Sequence, residues 1–266
     1  MIKPKERESD KSAAWGPNQG LQYIRAAISI AAGLVLWEIM SLLLGSGRIP
    51  APMAVWSTAG HLLTSGILLT DILYSVSRVA IAFALAVLIA IPIGFLLGWY
   101  ESLRTLIEPW IQFFRMIPPI ALIPLVIVYF GIGETAKIWI IFFAAFLVMV
   151  VSVYQGVVAV NALYIKAAKA LGAHDFQLFW NVVIPSSIPY IVVGMRIAVA
   201  ASWTTLVAAE LVAASHGLGY LIMSASQYYS LPTVYLGIIV IGLIGLMMDR
   251  LVQRLERRLT IWTDRR

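Results

Sequence analysis

The sequence predicts an all-α polytopic integral membrane protein with about six transmembrane helices, and two observations carry that prediction. First, 61% of the 266 residues are hydrophobic and only 12% are charged, with a mean hydropathy of +0.90. A soluble domain needs far more polar surface than this composition supplies. Second, the apolar residues fall into runs of about 20, the length that a helix needs to cross the hydrocarbon core.

Six apolar runs are candidate spans. They cover roughly residues 24–44, 75–99, 109–130, 136–158, 187–212 and 232–248. Residues 79–99 contain no charge at all. The third run is the poorest candidate, because it contains Arg115, Pro118, Pro119 and Pro124, and a proline inside a helix removes a backbone hydrogen bond.

The distribution of the 19 lysines and arginines predicts the orientation of the spans. With both termini inside, 14 of these residues lie on the inner side, and only Arg48 and Lys137 lie outside. Arg78, Arg115 and Arg196 fall within spans. Because short cytoplasmic segments carry an excess of lysine and arginine, we expect both termini and the segment between spans four and five to face the cytoplasm.

Three regions follow from this pattern. Residues 1–20 have mixed charge and no apolar core, which predicts a disordered cytoplasmic tail and not a cleavable signal peptide. Residues 21–250 form the transmembrane domain, and residues 251–266 form a basic cytoplasmic tail. In the last outer loop, the apolar run 218–223 is too short to span, so it predicts a re-entrant or surface helix.

Several kinds of chemistry are not expected of this chain. It has no cysteines, hence no disulfides or thiolate metal sites. The three histidines, His61, His174 and His216, lack metal-ligand spacing, so we expect solvated loop residues and no metal. The stretch GIGETAK resembles a phosphate-binding loop only superficially, because it lacks the full motif. No grouping of Ser, His and Asp in the sequence suggests a catalytic triad. The chain is expected to be non-catalytic, and the positive-inside bias explains its basic charge without nucleic acid.

A cytoplasmic segment, KAAKALGAHDFQLFWNVVIPSSIP from Lys166 to Pro189, interrupts the apolar runs. Apolar residues before it recur at helical spacing between Val160 and Leu171, which predicts an amphipathic helix. We expect Gly172 to end that helix, Asp175 to cap a second short helix from Phe176, and Pro185 to close it. Two interpretations stay open: a helix lying on lipid, or a structured knob that docks on a partner.

The spacing of this segment resembles the EAA-loop motif of permease subunits in ATP-binding cassette importers. That motif is Glu-Ala-Ala, three residues, Gly, nine residues, Ile, one residue and Leu-Pro. Here Lys166, Val182 and Ile184 replace the glutamate, isoleucine and leucine, and every spacing matches. The lysine reverses a charge at a position where the family motif has an acid.

Two further segments resemble the branch of that family that imports taurine, alkanesulfonates, nitrate and related anions. They are RMIPPIALIPLVIVYFGIGETAKI (115–138) and GMRIAVAASWTTLVAAELVAASHGLGYLI (194–222). The resemblance, from about residue 73 onwards, implies a type I importer permease of the bacterial inner membrane that works by alternating access. It also implies a homodimer, two cytoplasmic ATPase subunits that bind ATP and magnesium, and an extracytoplasmic binding protein. No cofactor in this chain and no partner besides these and membrane lipid is expected.

The resemblance places the ATPase-coupling contacts on the knob, about residues 160–185. The candidate residues are Lys166, Ala167, Ala168, Gly172, Ala173, Phe176, Phe179, Trp180 and Pro185. Among them, the aromatic side chains are expected to fill a groove on the ATPase.

Charged side chains inside spans are costly and commonly functional, so they are the candidate pathway or gate residues. Arg115 lies beside a predicted helix break at Pro118 and Pro119, where an anion can pass; alternatively it snorkels or pairs with Glu108. The remaining candidates lie in span five, and they are Arg196, Trp203 and Glu210.

The span-five candidates also have structural alternatives. Arg196 either lines the pathway or forms an ion pair with Glu38 or Glu210. Glu210 either gates the path or docks the binding protein. Arg78 is expected to be an interface anchor. Close helix packing is the favoured role of three glycines within spans, Gly94, Gly98 and Gly194.

Two rival functions remain open at this point. A stand-alone secondary transporter or channel would need carboxylates within its spans, of which there are only Glu38 and Glu210, and it leaves the knob without a purpose. A scaffold without transport leaves the intramembrane arginines unexplained. Co-purification of an ATPase with the chain separates these classes.

The predicted topology can be tested with single cysteines, because the chain has none. A membrane-impermeant thiol reagent applied to intact cells should leave Ser9→Cys and His174→Cys unlabelled, and it should label Ser226→Cys in the last outer loop. Labelling of either of the first two positions in unbroken cells would overturn the orientation.

Overall fold

The structure, a computed structural model, describes residues 19–259, and every regular element in this part of the chain is a helix. The chain forms two units, residues 1–56 and 57–266. The α-helices are α1 Gln19–Leu44, α2 Pro52–Thr64, α3 Ile67–Trp99, α4 Glu101–Met116, α5 Ile123–Phe130, α6 Glu134–Val158, α7 Ala162–Ala170, α8 Asp175–Leu178, α9 Ile184–Ala213, α10 Leu218–Gln227 and α11 Leu231–Leu259.

The first unit contains α1 and the segment that follows it. The Trp37 indole donates a hydrogen bond to the Pro50 carbonyl at 3.0 Å, and the Ser41 hydroxyl donates to the Ile49 carbonyl at 2.9 Å. These bonds fold the chain after α1 back along the helix. The predicted tail lies outside the described residues as far as residue 18, and its last two residues belong to α1.

Three long helices, α3, α6 and α9, form the centre of the second unit. Small residues let them approach closely, because a side-chain carbon at Gly94 would lie only 2.5 Å from the Val153 Cβ. Gly98 faces Val157 and Gly194 faces Ser152 in the same way. The predicted packing role of these glycines is therefore confirmed.

The number of spans agrees with the prediction when the bent third candidate is counted as one span. Five described helices are long and apolar enough to cross a membrane, and the sixth candidate is the pair formed by residues 101–116 and 119–130. This pair bends by 90° at the Pro118–Pro119 step, where a short 3₁₀-helix, Pro119–Leu122, precedes α5. The helix break predicted at Pro118 and Pro119 is therefore confirmed, because two prolines in sequence prevent helical continuation. The bent pair is longer than the predicted run, since it begins at residue 101 and not at 109.

The last span is longer than predicted, and the last outer loop contains a short helix. α11 continues beyond Arg250 to Leu259, so the predicted basic tail begins as helix. The short apolar run of the outer loop forms α10, which buries Leu218, Leu221 and Ala225 against the bundle.

The knob differs from its prediction in how its second half is built. Gly172 ends the first helix with φ +85°, as expected for the left-handed conformation. His174, and not Asp175, is the N-cap of α8, since its ring accepts from the Gln177 N–H and the Gln177 side chain accepts from the His174 N–H. Asp175 is the first helical residue instead.

Pro185 does not close the short helix, so that prediction is wrong. A π-helical segment, Phe179–Val183, joins α8 to α9 without a break, and Pro185 lies in the first turn of α9. The wider π turn accommodates the missing proline N–H at this point. The second half of the knob is therefore the beginning of the helix that forms span five.

Candidate functional site

A cluster of charged side chains occupies the outer end of the bundle, the end predicted to face away from the cytoplasm. α3 contributes Asp71, Ser75 and Arg78, whose spacing of four and three residues places them on one helical face. α6 contributes Glu134, its first residue, and α9 contributes Glu210 near its end. We call Asp71, Arg78, Glu134, Lys137 and Glu210 the outer charge cluster.

Arg78 is the centre of this cluster. Its guanidinium forms a bidentate pair with Glu134, with Nε–Oε2 at 2.5 Å and Nη2–Oε1 at 2.7 Å. Its Nη1 donates to Glu210 Oε1 at 2.5 Å and to the His216 carbonyl at 2.7 Å. The side chain is only 2% exposed. The predicted role of Arg78 as an interface anchor is therefore wrong, because its guanidinium is buried and pairs with the buried Glu210 and the half-exposed Glu134.

The same cluster holds the N-terminus of α10. The amide of Gly217 donates to Asp71 Oδ1 at 2.8 Å, and that of Leu218 donates to the Ser75 hydroxyl at 2.9 Å. The amide of Gly219 donates to Glu210 Oε2 at 2.8 Å. Three amides that a helix cannot satisfy internally thus bind side chains of α3 and α9.

Glu210 is not available on the surface. Its side chain is fully buried, and Ser75 donates to both of its oxygens, at 2.8 and 3.0 Å. A direct docking contact through Glu210 does not fit this burial, and its role as a gate stays a prediction.

Two members of the cluster were missed by reasoning from the sequence. Glu134 lies in the stretch GIGETAK and also bonds Lys137 at 2.9 Å; Asp71 lies seven residues before Arg78. The signal that was available is electrostatic, because a charge inside a span needs an opposite partner in the same layer of the membrane.

Arg196 has partners other than those predicted. Its Nε lies 3.0 Å from Asp249 Oδ1, and its Nη1 lies 3.6 Å from Glu256 Oε2. Both acids belong to α11, so neither Glu38 nor Glu210 pairs with Arg196. Nearby, the Trp203 indole is buried and donates to the Met248 sulfur at 3.0 Å. Arg196 and Trp203 therefore connect α9 to α11.

Arg115 is the exposed cation of the pathway candidates. It lies in the last turn of α4, directly before the bend at Pro118 and Pro119, and its side chain is exposed. No ion pair joins it to Glu108 in the described part of the chain. Glu108 instead accepts from the Tyr154 hydroxyl at 3.0 Å, so the predicted alternative of an Arg115–Glu108 pair is wrong.

The knob exposes much of its apolar surface. Leu171 is 89% exposed, Phe176 69% and Trp180 54%. Phe179 differs, because its ring packs edge-on against Phe95 and Trp99 of α3 at 5.5 and 5.3 Å. Of the three predicted aromatic anchors, Phe179 thus fixes the knob to its own bundle, while the other two face outward.

The remaining coupling candidates lie on or beside this exposed surface. Lys166, Ala167 and Gly172 are exposed, and Ala168, Ala173 and Pro185 are half-buried. Asn161 caps α7 by accepting from the Leu163 amide at 2.9 Å. The first half of the knob is therefore a capped helix that presents its side chains outward.

Comparison with known proteins agrees with this architecture. Residues 90–261 match the family model described as "Binding-protein-dependent transport system inner membrane component". The chain is 50% identical over 238 residues to a probable ABC transporter permease protein of Brucella abortus (strain 2308), covering 90% of this chain and 95% of that protein. It is 40% identical over 188 residues to the taurine transport system permease protein of Escherichia coli (strain K12), covering 71% and 68%.

A more distant relative and a solved structure also match the chain. The nitrate import permease protein of Synechocystis sp. is 29% identical over 264 residues, covering 96% of this chain and 94% of that protein. An inward-facing structure of the MetNI methionine ABC transporter superposes with a TM-score of 0.65 at 20% identity, covering 73% of this chain and 96% of the other. The fold is thus that of a type I importer permease. The chain belongs to the family of binding-protein-dependent transport system inner membrane components.

The burial of the outer charge cluster predicts a graded loss of stability. Arg78→Met leaves the buried Glu210 carboxylate unpaired and should cost about 3–5 kcal/mol. Glu134→Gln is the matched control, because the Glu134 side chain is 49% exposed and should cost less. Thermal unfolding of the purified protein in detergent measures both, and equal melting temperatures for the two variants would contradict the central role of Arg78.

Proposed function

We propose that this chain is the membrane-spanning subunit of an ATP-driven importer that moves a small organic or inorganic anion by alternating access. The observation that carries the proposal is the knob, whose Gly172 turn and outward-facing aromatic residues stand at the EAA-loop spacing of importer permeases. The chain itself is the transport subunit, and the proposed partner subunits bind and hydrolyse ATP.

An anionic substrate is supported by two lines of argument. Relatives carry the names of taurine, aliphatic sulfonate, nitrate and bicarbonate permeases, and each of these solutes is an anion or, for taurine, a zwitterion with an anionic sulfonate group. Arg115 supplies an exposed positive charge beside a broken span, where helix ends and free backbone groups are available to a solute.

A cytoplasmic ATPase is the proposed partner of the knob. Exposed apolar surface of this size on a structured element favours a protein partner, and exposed Phe176 and Trp180 are the residue types that dominate protein interfaces. Lys166 is exposed as well, so the contact at that position differs in charge from the family motif. A second copy of the chain and an extracytoplasmic binding protein complete the proposed assembly.

The outer charge cluster argues against the alternative that this chain is a stand-alone transporter. Such a transporter needs a carboxylate in its spans that exchanges protons or ions, and Glu210 was one of two candidates. Its oxygens are occupied by Arg78, Ser75 and the Gly219 amide. An ion-pumping role is therefore disfavoured for this residue.

If Arg115 attracts the anion, Arg115→Gln should reduce uptake about 10-fold or more while assembly with the ATPase survives. The reason is that, among residues 19–259, no acid forms an ion pair with the exposed guanidinium, so its removal breaks no such contact there. Arg115→Lys is the matched control, because it keeps the charge, and it should retain most of the uptake. Transport of labelled taurine, sulfonate or nitrate into proteoliposomes is the measurement, and full uptake by the glutamine variant would leave Arg115 outside the pathway.

A substitution at Gly172 should uncouple ATP hydrolysis from the binding protein without removing the chain from the membrane. At φ +85° a β-branched residue is strained by about 1–3 kcal/mol, so Gly172→Val should misplace α8 and abolish stimulation of ATP hydrolysis by the loaded binding protein. Gly172→Asn is the matched control, because asparagine tolerates this conformation.

The reconstituted complex is the sample for this test. A helix that merely rests on lipid has no partner to lose, and on that interpretation both variants should be stimulated equally. Normal stimulation of a folded Gly172→Val complex would rule out the coupling role of the turn.

A further inference from the structure

One face of α4 is polar along its whole length, although α4 belongs to a candidate span. Polar side chains recur there at spacings of three and four residues, which places all of them within an arc of about 80° around the helix axis. We call them the α4 polar stripe, and they are Glu101, Arg104, Glu108, Gln112 and Arg115. Since all but one of these side chains can carry a full charge, contact of this face with hydrocarbon is costly.

The rest of the α4 surface is mostly apolar and consists of two faces that differ in exposure. On one face Ile111 is buried in the core, and Leu103 and Ile107 pack against that core. On the other face Leu106 and Trp110 are exposed. Because lipid tails are as apolar as leucine, an exposed apolar face on a span suits contact with lipid. α4 therefore has a core face, a lipid face and the polar stripe, and only the stripe needs water.

Contacts with α6 show that α4 lies along a span and not across its end. The Tyr154 hydroxyl donates to Glu108 Oε1 at 3.0 Å, and the Phe114 ring meets the Phe143 ring edge-on at 6.1 Å. Positions 143 and 154 of α6 are separated by about 16 Å along its axis. α4 thus follows α6 from the inner end, predicted to face the cytoplasm, towards the middle of that span. A helix resting on the membrane surface would meet α6 only near its end.

The α4 polar stripe ends at the break in the third span. Arg115 is exposed in the last turn of α4, and the chain bends by 90° at Pro118 and Pro119. At the other end, Glu101 is the first residue of α4. The stripe therefore connects the inner end of the bundle with a broken helix, where backbone groups are available to a solute.

We propose that the α4 polar stripe is a water-lined wall of the inner half of the solute path, along which the transported anion passes between Arg115 and the cytoplasm. The inference rests on the proposed function, and it adds the other four members of the stripe to the path. Two acids and two bases alternate on the stripe, so their charges cancel. Such a wall offers hydrogen bonds to a passing anion without retaining it, and conduction requires binding weak enough for release.

Thiol accessibility tests the wall, because the chain has no cysteine. Arg104→Cys and Gln112→Cys place thiols on the stripe, and Leu106→Cys and Trp110→Cys are matched controls two residues away on the lipid face. The reconstituted complex, without nucleotide, is treated on its cytoplasmic side with membrane-impermeant sulfonatoethyl methanethiosulfonate. The stripe thiols should react about 10-fold or more faster than their controls, since the reactive thiolate forms in water and not in hydrocarbon.

Equal rates on the two faces would overturn the proposal. Absence of reaction on the stripe of an active complex would overturn it as well, because another protein surface, such as a second copy, then covers the stripe. Thr105→Cys replaces either stripe variant that does not assemble. Thr105 is exposed at the edge of the stripe, and cysteine is close to threonine in size.

Uptake by the labelled complex tests the path itself. A sulfonatoethyl group on Gln112→Cys adds bulk and negative charge to the wall, so it should reduce uptake of labelled taurine or nitrate about 10-fold or more relative to the untreated variant. The same treatment should leave uptake by Trp110→Cys unchanged. Complete labelling of position 112 with full uptake would mean that the stripe meets water outside the path, and the proposal would fail.

The labelling rates do not depend on transport, and this separates the two possible failures. If the complex takes up none of the tested solutes while positions 104 and 112 still react faster than their controls, the wall is in water and the failure lies in the proposed function. If uptake proceeds while the stripe reacts no faster than the lipid face, this inference fails alone.

Discussion

The guanidinium of Arg78 is the group on which the outer half of the structure depends. Three long helices and the segment before α10 meet at it, and Glu210 is fully buried only because this cation lies 2.5 Å away. A buried pair contributes modest net stability, but loss of one member leaves an unpaired charge in a low dielectric. The positions of α3, α6 and α9 at this end are therefore mutually dependent, and the path of α10 follows from them.

The two ends of the bundle satisfy their polar and apolar groups differently. At the outer end, buried charges and the free amides of α10 are bonded within the chain. At the inner end, Phe179 fixes the knob to α3, while Phe176 and Trp180 remain exposed. Exposed aromatic rings on a rigid base suit a protein interface, so the inner end, unlike the outer one, presents apolar side chains that the described residues leave uncovered.

Features set by neighbouring residues were predictable from the sequence, and features set by distant ones were not. The lengths of the apolar runs predicted the spans, and Gly172 predicted its turn, because both depend on local chemistry. Arg78 pairs with Glu134, which lies 56 positions away, and with Glu210, which lies 132 positions away. No local pattern identifies these partners. At Pro185 a sound local rule failed, because the π-helical segment before it removes the need for a proline N–H.

The continuity of α8, the π-helical segment and α9 links the two ends physically. One helical rod runs from Asp175 in the knob to Ala213, about 58 Å at 1.5 Å per residue. Its inner end bears the exposed aromatic surface, and near its outer end Glu210 binds Arg78 and the first turn of α10. The exposed aromatic surface and the outer charge cluster are therefore joined by a single helical element. Because the π-helical segment runs directly into α9, Pro185 lies inside this element, and α8 and α9 are not two helices joined by a loop.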